Sequence, residues 1–281
     1  MVGSGAAATP PLAWIGLGRI GAPMAERLVA AGYRLSVFDV VPQAMDPLVA
    51  IGARAAASPG DAAAGAQAVC FCVSDGEAVE SAAYGADGVA AQASKGALLI
   101  DHSTTHPELT RAMSRRAEEL GFCWVDAPVS GGTAAAKNGT LAAWLGGRRE
   151  HAESAQKFIA TYAGRINYMG PSGSGQTAKS CNQVIVANTI AIWAEMLAYA
   201  VSNGLDPEAL IDTLDGSGAD SGVRRTFAKG IANGIFPELS TRNMIKDLGI
   251  ITDLANQSNV PMPISSIALG HFKRGITRRD H

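Results

Sequence analysis

Lys179 stands in the segment GSGQTAKSCNQ (residues 173–183), and the run VIVANTIAIWA after it holds no charged side chain before Glu195. If this stretch is a helix, Lys179, Asn182, Gln183, Val186, Ile190, Trp193 and Leu197 share one face by their spacing of three and four. An ammonium and two carboxamides then cap an apolar stripe, next to a glycine-rich hinge, which describes a cleft. Spacing alone leaves two readings. The lysine either snorkels to solvent from the first turn, or it is partly desolvated near the positive helix end, where it gives up a proton more readily and serves as an acid/base.

A second group with chemical potential is Asp126-Ala127-Pro128-Val129-Ser130-Gly131-Gly132. It follows a strand pattern, and open α/β sheets bind ligands at the carboxyl ends of strands. Ser130 with the amides of Gly131 and Gly132 makes a set of donors suited to a carboxylate, although the same residues also make an ordinary turn.

The third group is Gly16-Leu17-Gly18-Arg19-Ile20-Gly21, placed between an apolar run and the helical pattern APMAERLVAAG. The glycines of such a loop serve a tight turn, close approach of a pyrophosphate, and helix–sheet packing, with phosphate held at the helix N-terminus. The next strand pattern, YRLSVFD, ends in Asp39, 18 residues after Gly21. An acid there hydrogen-bonds ribose hydroxyls and repels a ribose phosphate, so the expected cofactor is NAD in preference to NADP.

These groups need a scaffold, and the chain from Leu12 to about Met169 supplies one. LAWIGL, YRLSVFD, AVCFCV, ALLID and FCWVDAP alternate with alanine-rich helical runs, the pattern of βαβ units on a parallel sheet. Ser58-Pro59-Gly60-Asp61 carries a capping serine, an initial proline and an acid, and Thr105-His106-Pro107-Glu108 repeats the device. LAAWLGG and RINYMG read as late strands closing the sheet. After Gly170 the pattern becomes helical to the C-terminus, beginning with a helix over about 176–203. The expected organisation is a doubly wound, Rossmann-type domain over 10–170 and an all-α domain over 171–281.

Composition excludes several classes. With 281 residues, 47% hydrophobic and a formal net charge of −2, the chain carries neither a disorder signature nor an electrostatic footprint for nucleic acid. Arg148-Arg149, Arg224-Arg225 and Arg278-Arg279 read as solvated surface. Residues 1–11 lack the features of a secretory signal, and the apolar stretch 181–194 is interrupted and short of a bilayer span, so no membrane is expected. Cys70, Cys72, Cys123 and Cys181 form no CxxC pair. With Cys70, Cys123 and Cys181 in stretches that look buried, they suggest core thiols of a cytoplasmic protein. No zinc spacing links them to His102 and His106, which read as capping or surface residues.

Taken in order, the glycine loop, DAPVSGG, GSGQTAKSCNQ and MIKDL (residues 244–248) make the chain resemble the β-hydroxyacid dehydrogenase family, of the 3-hydroxyisobutyrate dehydrogenase and tartronate semialdehyde reductase type, over about residues 12–272. The resemblance implies an NAD(P)-dependent oxidation of the CH–OH group of a small, carboxylate-bearing 3-hydroxy acid. In it, Lys179 is the acid/base, Ser130, Gly131 and Gly132 bind the substrate carboxylate, and Asn182 and Gln183 bind the substrate beside the lysine. It places Gly16, Gly18, Arg19, Ile20, Gly21, Asp39, Val73, Ser74, Thr104 and Lys246 against the cofactor, and it implies a homodimer or homotetramer built through the helical domain. There are departures. Val73-Ser74 stands where the family has Leu-Pro, Ile20 and Arg27 where it has methionine and asparagine, and Gln183 where the hydroxyisobutyrate type has a second asparagine. The alternatives are an imine reductase on the same fold, which generally lacks the lysine and the serine, or a non-catalytic Rossmann-fold binding protein. An anionic substrate tail has candidate partners in Arg224, Arg225 and Arg242.

Overall fold

The computed structural model describes residues 9–234 and 238–277; the Arg278-Arg279 pair lies outside them. The chain divides into two compact units, residues 1–179 and 180–281.

In the first unit strands and helices alternate. They run β1 (Leu12–Ile15), α1 (Gly21–Ala30), β2 (Leu35–Phe38), α2 (Asp46–Val49), β3 (Arg54–Ala55), α3 (Pro59–Ala63), β4 (Ala68–Phe71), α4 (Gly76–Tyr84) and α5 (Val89–Gln92). Then come β5 (Leu98–Asp101), α6 (Pro107–Glu119), β6 (Cys123–Asp126), β7 (Val129–Ser130), α7 (Gly132–Asn138), β8 (Leu141–Gly147), α8 (Arg149–Ile159) and β9 (Ala163–Gly170). The sheet order is β3-β2-β1-β4-β5-β6-β8-β7, with β9 beside β8. Strands β3 to β6 run parallel along this order, β8 is antiparallel to β6 and β7, and β9 is parallel to β8. The strand order reverses between β1 and β4, which opens the crevice that such sheets use for ligands.

Period-two alternation divides the apolar side chains between two cores. Leu12, Trp14, Cys70, Ile100 and Val125 pack on one face with Met24 and Leu28 of α1. Ala13, Ile15, Val69, Phe71, Leu99 and Trp124 pack on the other with Met113 of α6. Burial on both faces is why β1, β4 and β5 read as continuous apolar runs. Two short strands, β3 and β7, carry too few residues to show a period and are absent from the sequence reading.

The capping signals divide. Ser58 Oγ accepts the Asp61 N–H at 3.0 Å, as expected. At α6 the cap is His106, whose Nδ1 accepts the Glu108 N–H, while Thr105 is buried and bonded to Thr110 at 2.7 Å. Cys181 is exposed, unlike Cys70, whose thiol burial pushes up to about 12.

The second unit takes most of α9 (Ser174–Ser202), then α10 (Pro207–Thr213), α11 (Gly222–Ala232), α12 (Glu238–Gln257) and α13 (Pro263–Thr277). Ala187 and Ile190 pack with Leu248, Ile251 and Phe272, and Trp193 and Leu197 with Ile211 and Ala228, which confirms the helical face read from spacing. By length and hydropathy α9 is apolar enough to cross a membrane, unlike the interrupted run read from sequence; 28% of its most apolar window is buried in the protein. Arg224 is not a surface residue. It is 6% exposed, bonded to Asp220 at 2.8 Å and to the Ile211 carbonyl at 3.1 Å, and paired with Asp215.

His102 also departs from its surface reading. It is 3% exposed, stacked on Trp14, and bonded through Nδ1 to the Ala127 carbonyl at 2.7 Å and through Nε2 to Tyr162 Oη at 2.9 Å. A carbonyl only accepts, so Nδ1 carries the proton and Tyr162 donates to Nε2. Burial holds its pKa down at about 4, against the opposing pull of the Ala127 hydrogen bond. In the unfolded chain the group titrates near 6.5, so its neutral-state stabilisation is complete above that pH and is lost as pH falls toward 4. Urea unfolding should show about 2 kcal/mol less stability at pH 5 than at pH 7 from this residue, and His102→Phe should lose that component of the slope. An unchanged slope in the variant would contradict the assignment.

Candidate functional site

The glycine loop leaves β1 at Gly16, where φ is +94° and an added Cβ would stand 2.4 Å from the Cys72 carbonyl oxygen. Gly21 packs as tightly: its Cβ would lie 2.2 Å from the Gly16 oxygen. At Gly18, by contrast, a Cβ would meet no heavy atom within 4 Å. Two glycines therefore serve the fold, and the third leaves open space above the loop. Helix α1 starts at Ile20 without a side-chain cap and without an acid in its first turn, so its positive end is available to an anion. These features fit a dinucleotide pyrophosphate. Arg19 is exposed and Ile20 half-buried.

Asp39 closes β2 beside this loop. Its Oδ2 accepts the Leu17 N–H at 2.6 Å and its Oδ1 the Val41 N–H at 2.8 Å. Residues 40–53 contain no lysine or arginine, and Arg54 is paired with Asp61 at 3.0 Å.

Further along the carboxyl edge, Val73 N–H donates to Ser103 Oγ at 3.0 Å, which ties β4 to β5. Ser74 is exposed and bonds Asp75, the cap of α4. Thr104 follows, half-buried, at the end of β5.

At the end of β6, Asp126 is fully buried. Its Oδ1 accepts the Gly173 N–H at 2.9 Å and its Oδ2 the Gln176 N–H at 3.0 Å, so the carboxylate holds the first turn of α9. Burial raises its pKa above the usual carboxylate value, while the Gly173 and Gln176 N–H groups pull it down. Gly175 is needed here, since a Cβ would come within 2.4 Å of the Trp144 carbonyl oxygen. Lys179 lies further along the same helix, 8% exposed, and its Nζ donates to the Val129 carbonyl at 2.9 Å. The structure thus places the lysine on the residue that precedes Ser130. Gly131 and Gly132 follow with φ of +133° and +72°, and both are exposed. Arg27, one of the departures, donates to the carbonyls of Thr161 and Lys137, which ties α1 to the end of α7.

Within the second unit, Asn182 Nδ2 donates to Gln183 Oε1 at 2.9 Å, and Gln183 Nε2 donates to Asp247 Oδ2 at 2.5 Å. A carboxylate only accepts, which sets the orientation of both carboxamides. Gln183 is 5% exposed, with both ends of its amide engaged inside the protein. Lys246 lies 3.6 Å from Asp247 Oδ1. Of these partners, Gln176 was findable by its spacing of three before Lys179. Asp247 was not, because its pairing with Gln183 is long-range.

A model of the NAD binding domain of 6-phosphogluconate dehydrogenase matches residues 11–170. A model described as NAD-binding of NADP-dependent 3-hydroxyisobutyrate dehydrogenase matches residues 173–280. The chain is 36% identical over 285 residues to an NAD-dependent L-serine dehydrogenase of Pseudomonas aeruginosa, covering 96% of this chain and 94% of that one. It is 32% identical over 286 residues to the mitochondrial 3-hydroxyisobutyrate dehydrogenase of Rattus norvegicus, covering 98% and 85%. Among solved structures, Mycobacterium tuberculosis 3-hydroxyisobutyrate dehydrogenase with L-serine superposes with a TM-score of 0.84 at 31% identity, covering 96% and 94%. With its doubly wound sheet, glycine loop and helical second unit, the chain belongs to the β-hydroxyacid dehydrogenase family, NAD(P)-dependent oxidoreductases that act on the CH–OH group of small hydroxy acids.

Proposed function

We propose that this protein interconverts a small 3-hydroxy acid and its semialdehyde, with NAD as the preferred cofactor and Lys179 as the acid/base. The observation that carries the reading is the buried Lys179 ammonium on the Val129 carbonyl, beside Ser130 at the carboxyl edge of the sheet. Ser130, Gly131 and Gly132 receive the substrate carboxylate, and Asn182, held by Gln183, contributes a carboxamide. In oxidation Lys179 takes the proton of the substrate hydroxyl; in reduction it returns one to the aldehyde oxygen. The nicotinamide, when bound, supplies the acceptor or donor of the hydride. Gly16, Gly18, Arg19, Ile20 and Gly21 hold the pyrophosphate, while Val73, Ser74, Thr104 and Lys246 serve the rest of the cofactor.

The preference for NAD rests on Asp39. A ribose 2′-phosphate would meet its carboxylate with no lysine or arginine in residues 40–53 to offset the repulsion. Retention of Lys179 and Ser130 weighs against imine reduction. The domain assignment follows: residues 10–170 bind cofactor, and residues 171–281 shape the substrate pocket and build a homodimer or homotetramer. Exposed Ile185, Ile192 and Tyr199, seven residues apart on α9, with Ile264 and Ile267 on α13, support that assembly. Four free cysteines fit a cytoplasmic setting.

Steady-state rates on 3-hydroxyisobutyrate, D-glycerate, serine, 3-hydroxypropionate and sulfonated or phosphorylated three-carbon acids, each with NAD and NADP, test the proposal. At least one acid should turn over, with kcat/KM higher by about tenfold or more with NAD, since a juxtaposed like charge costs several kcal/mol. No turnover on any acid, or a preference for NADP, would contradict it. The loop gives a second prediction. Gly18→Ala should leave the melting temperature unchanged yet weaken NADH binding by roughly tenfold or more, because its methyl group occupies the approach to the pyrophosphate. Gly16→Ala should cost about 2 kcal/mol of stability or more, through its positive φ and the Cys72 oxygen. Equal effects of the two on stability would sink this division of roles.

A further inference from the structure

Gln176 is 1% exposed and contacts both strand ends that flank the candidate site. Its Oε1 accepts the Thr105 N–H at 3.1 Å, and its Nε2 donates to the Ser103 carbonyl at 2.8 Å. Its own N–H donates to Asp126 Oδ2 at 3.0 Å. Thr104 is the residue bracketed by the two side-chain bonds. The loop they clamp is fixed again by Ser103, whose Oγ accepts the Val73 N–H and whose N–H donates to Asp101 at 2.9 Å. On α9, Gln176 and Lys179 are three residues apart, and so on neighbouring positions of one face. The turn that carries the lysine is therefore joined, through a buried carboxamide, to the loop at the carboxyl end of β5.

We propose that Gln176 is a positioning residue for the dehydrogenase reaction, holding the Lys179 turn and the Thr104 backbone in one rigid arrangement. The inference rests on the reading of Lys179 as the proton-transfer group. The side-chain chemistry is specific. A carboxamide offers one acceptor to Thr105 and one donor to Ser103. Leucine has the size and neither group. Ionised glutamate keeps the acceptor but sets a second oxygen against the Ser103 carbonyl, and protonated glutamate regains the donor.

The test measures Q176L and Q176E beside the wild type, in the direction of aldehyde reduction with NADH, together with melting temperature and NADH binding. For Q176L, kcat should fall by roughly 10²-fold, the cost of a displacement near 1 Å. KM and the NADH dissociation constant should stay within about threefold, since the ligand contacts themselves are intact. For Q176E, the ratio of its kcat to that of the wild type should rise as pH falls and the glutamate takes up a proton. A residue that merely fills space would not produce this recovery. Q176L turnover within about twofold of wild type, or a Q176E ratio that stays flat with pH, overturns the inference. If Q176L fails to fold, the Q176E ratio decides by the same criterion. A wild-type protein inactive on every hydroxy acid overturns the underlying reading and the inference with it; a fully active wild type with a normal Q176L removes the inference alone.

Discussion

Asp126 is a carboxylate with no access to water, and a carboxylate is tolerated there only if its oxygens are hydrogen-bonded. The start of α9 supplies what it needs: main-chain N–H groups without helical partners, at the positive end of the helix. Gly173 and Gln176 donate to it, and Gly146 and Gly175 permit the approach, since a Cβ at Gly146 would lie 2.5 Å from Asp126 Oδ1. The strand end and the helix start thereby satisfy each other. With the first turn of α9 fixed on β6, helical geometry delivers Lys179 to the Val129 carbonyl, and the lysine and the Ser130 loop are both positioned from the ends of β6 and β7.

The cofactor side follows the same economy of charge. The carboxylate of Asp39 orients the loop through Leu17 and its own turn through Val41. A carboxylate bound to two main-chain donors is held in place beside the glycine loop. The edge between these two carboxylates is continuous. Val73, Ser103 and Gln176 link β4, β5 and α9 in a chain of hydrogen bonds, so the loops at this edge form a braced frame rather than separate segments.

Much of this was legible from residue patterns. Continuous apolar strands, the glycine loop with Asp39 in register, and the helical stripe from Lys179 to Leu197 all rest on local periodicity, which the chain displays openly. What escaped was set by partners distant in sequence. His102 read as a surface residue because nothing near it announces Trp14 or Tyr162. Arg224 read as half of a basic cluster because its acids, Asp215 and Asp220, look like loop residues. The pairing of Gln183 with Asp247 was hidden because it spans 64 positions. Cys181 read as buried because its neighbours are apolar, yet it lies on the outward side of α9. The cap of α6 moved from Thr105 to His106 because Thr105 found Thr110 and Gln176 instead.

The proposed chemistry turns on Lys179 moving the proton. Its most direct test is kcat of the Lys179→Ala variant with saturating cofactor and hydroxy acid, measured together with its NADH dissociation constant. General acid–base catalysis contributes between about 10² and 10⁴ in rate, so kcat should fall by roughly 10³-fold while NADH binding changes by less than about threefold. Turnover undiminished in the variant, with NADH bound as before, would contradict the assignment and leave the buried lysine a structural residue.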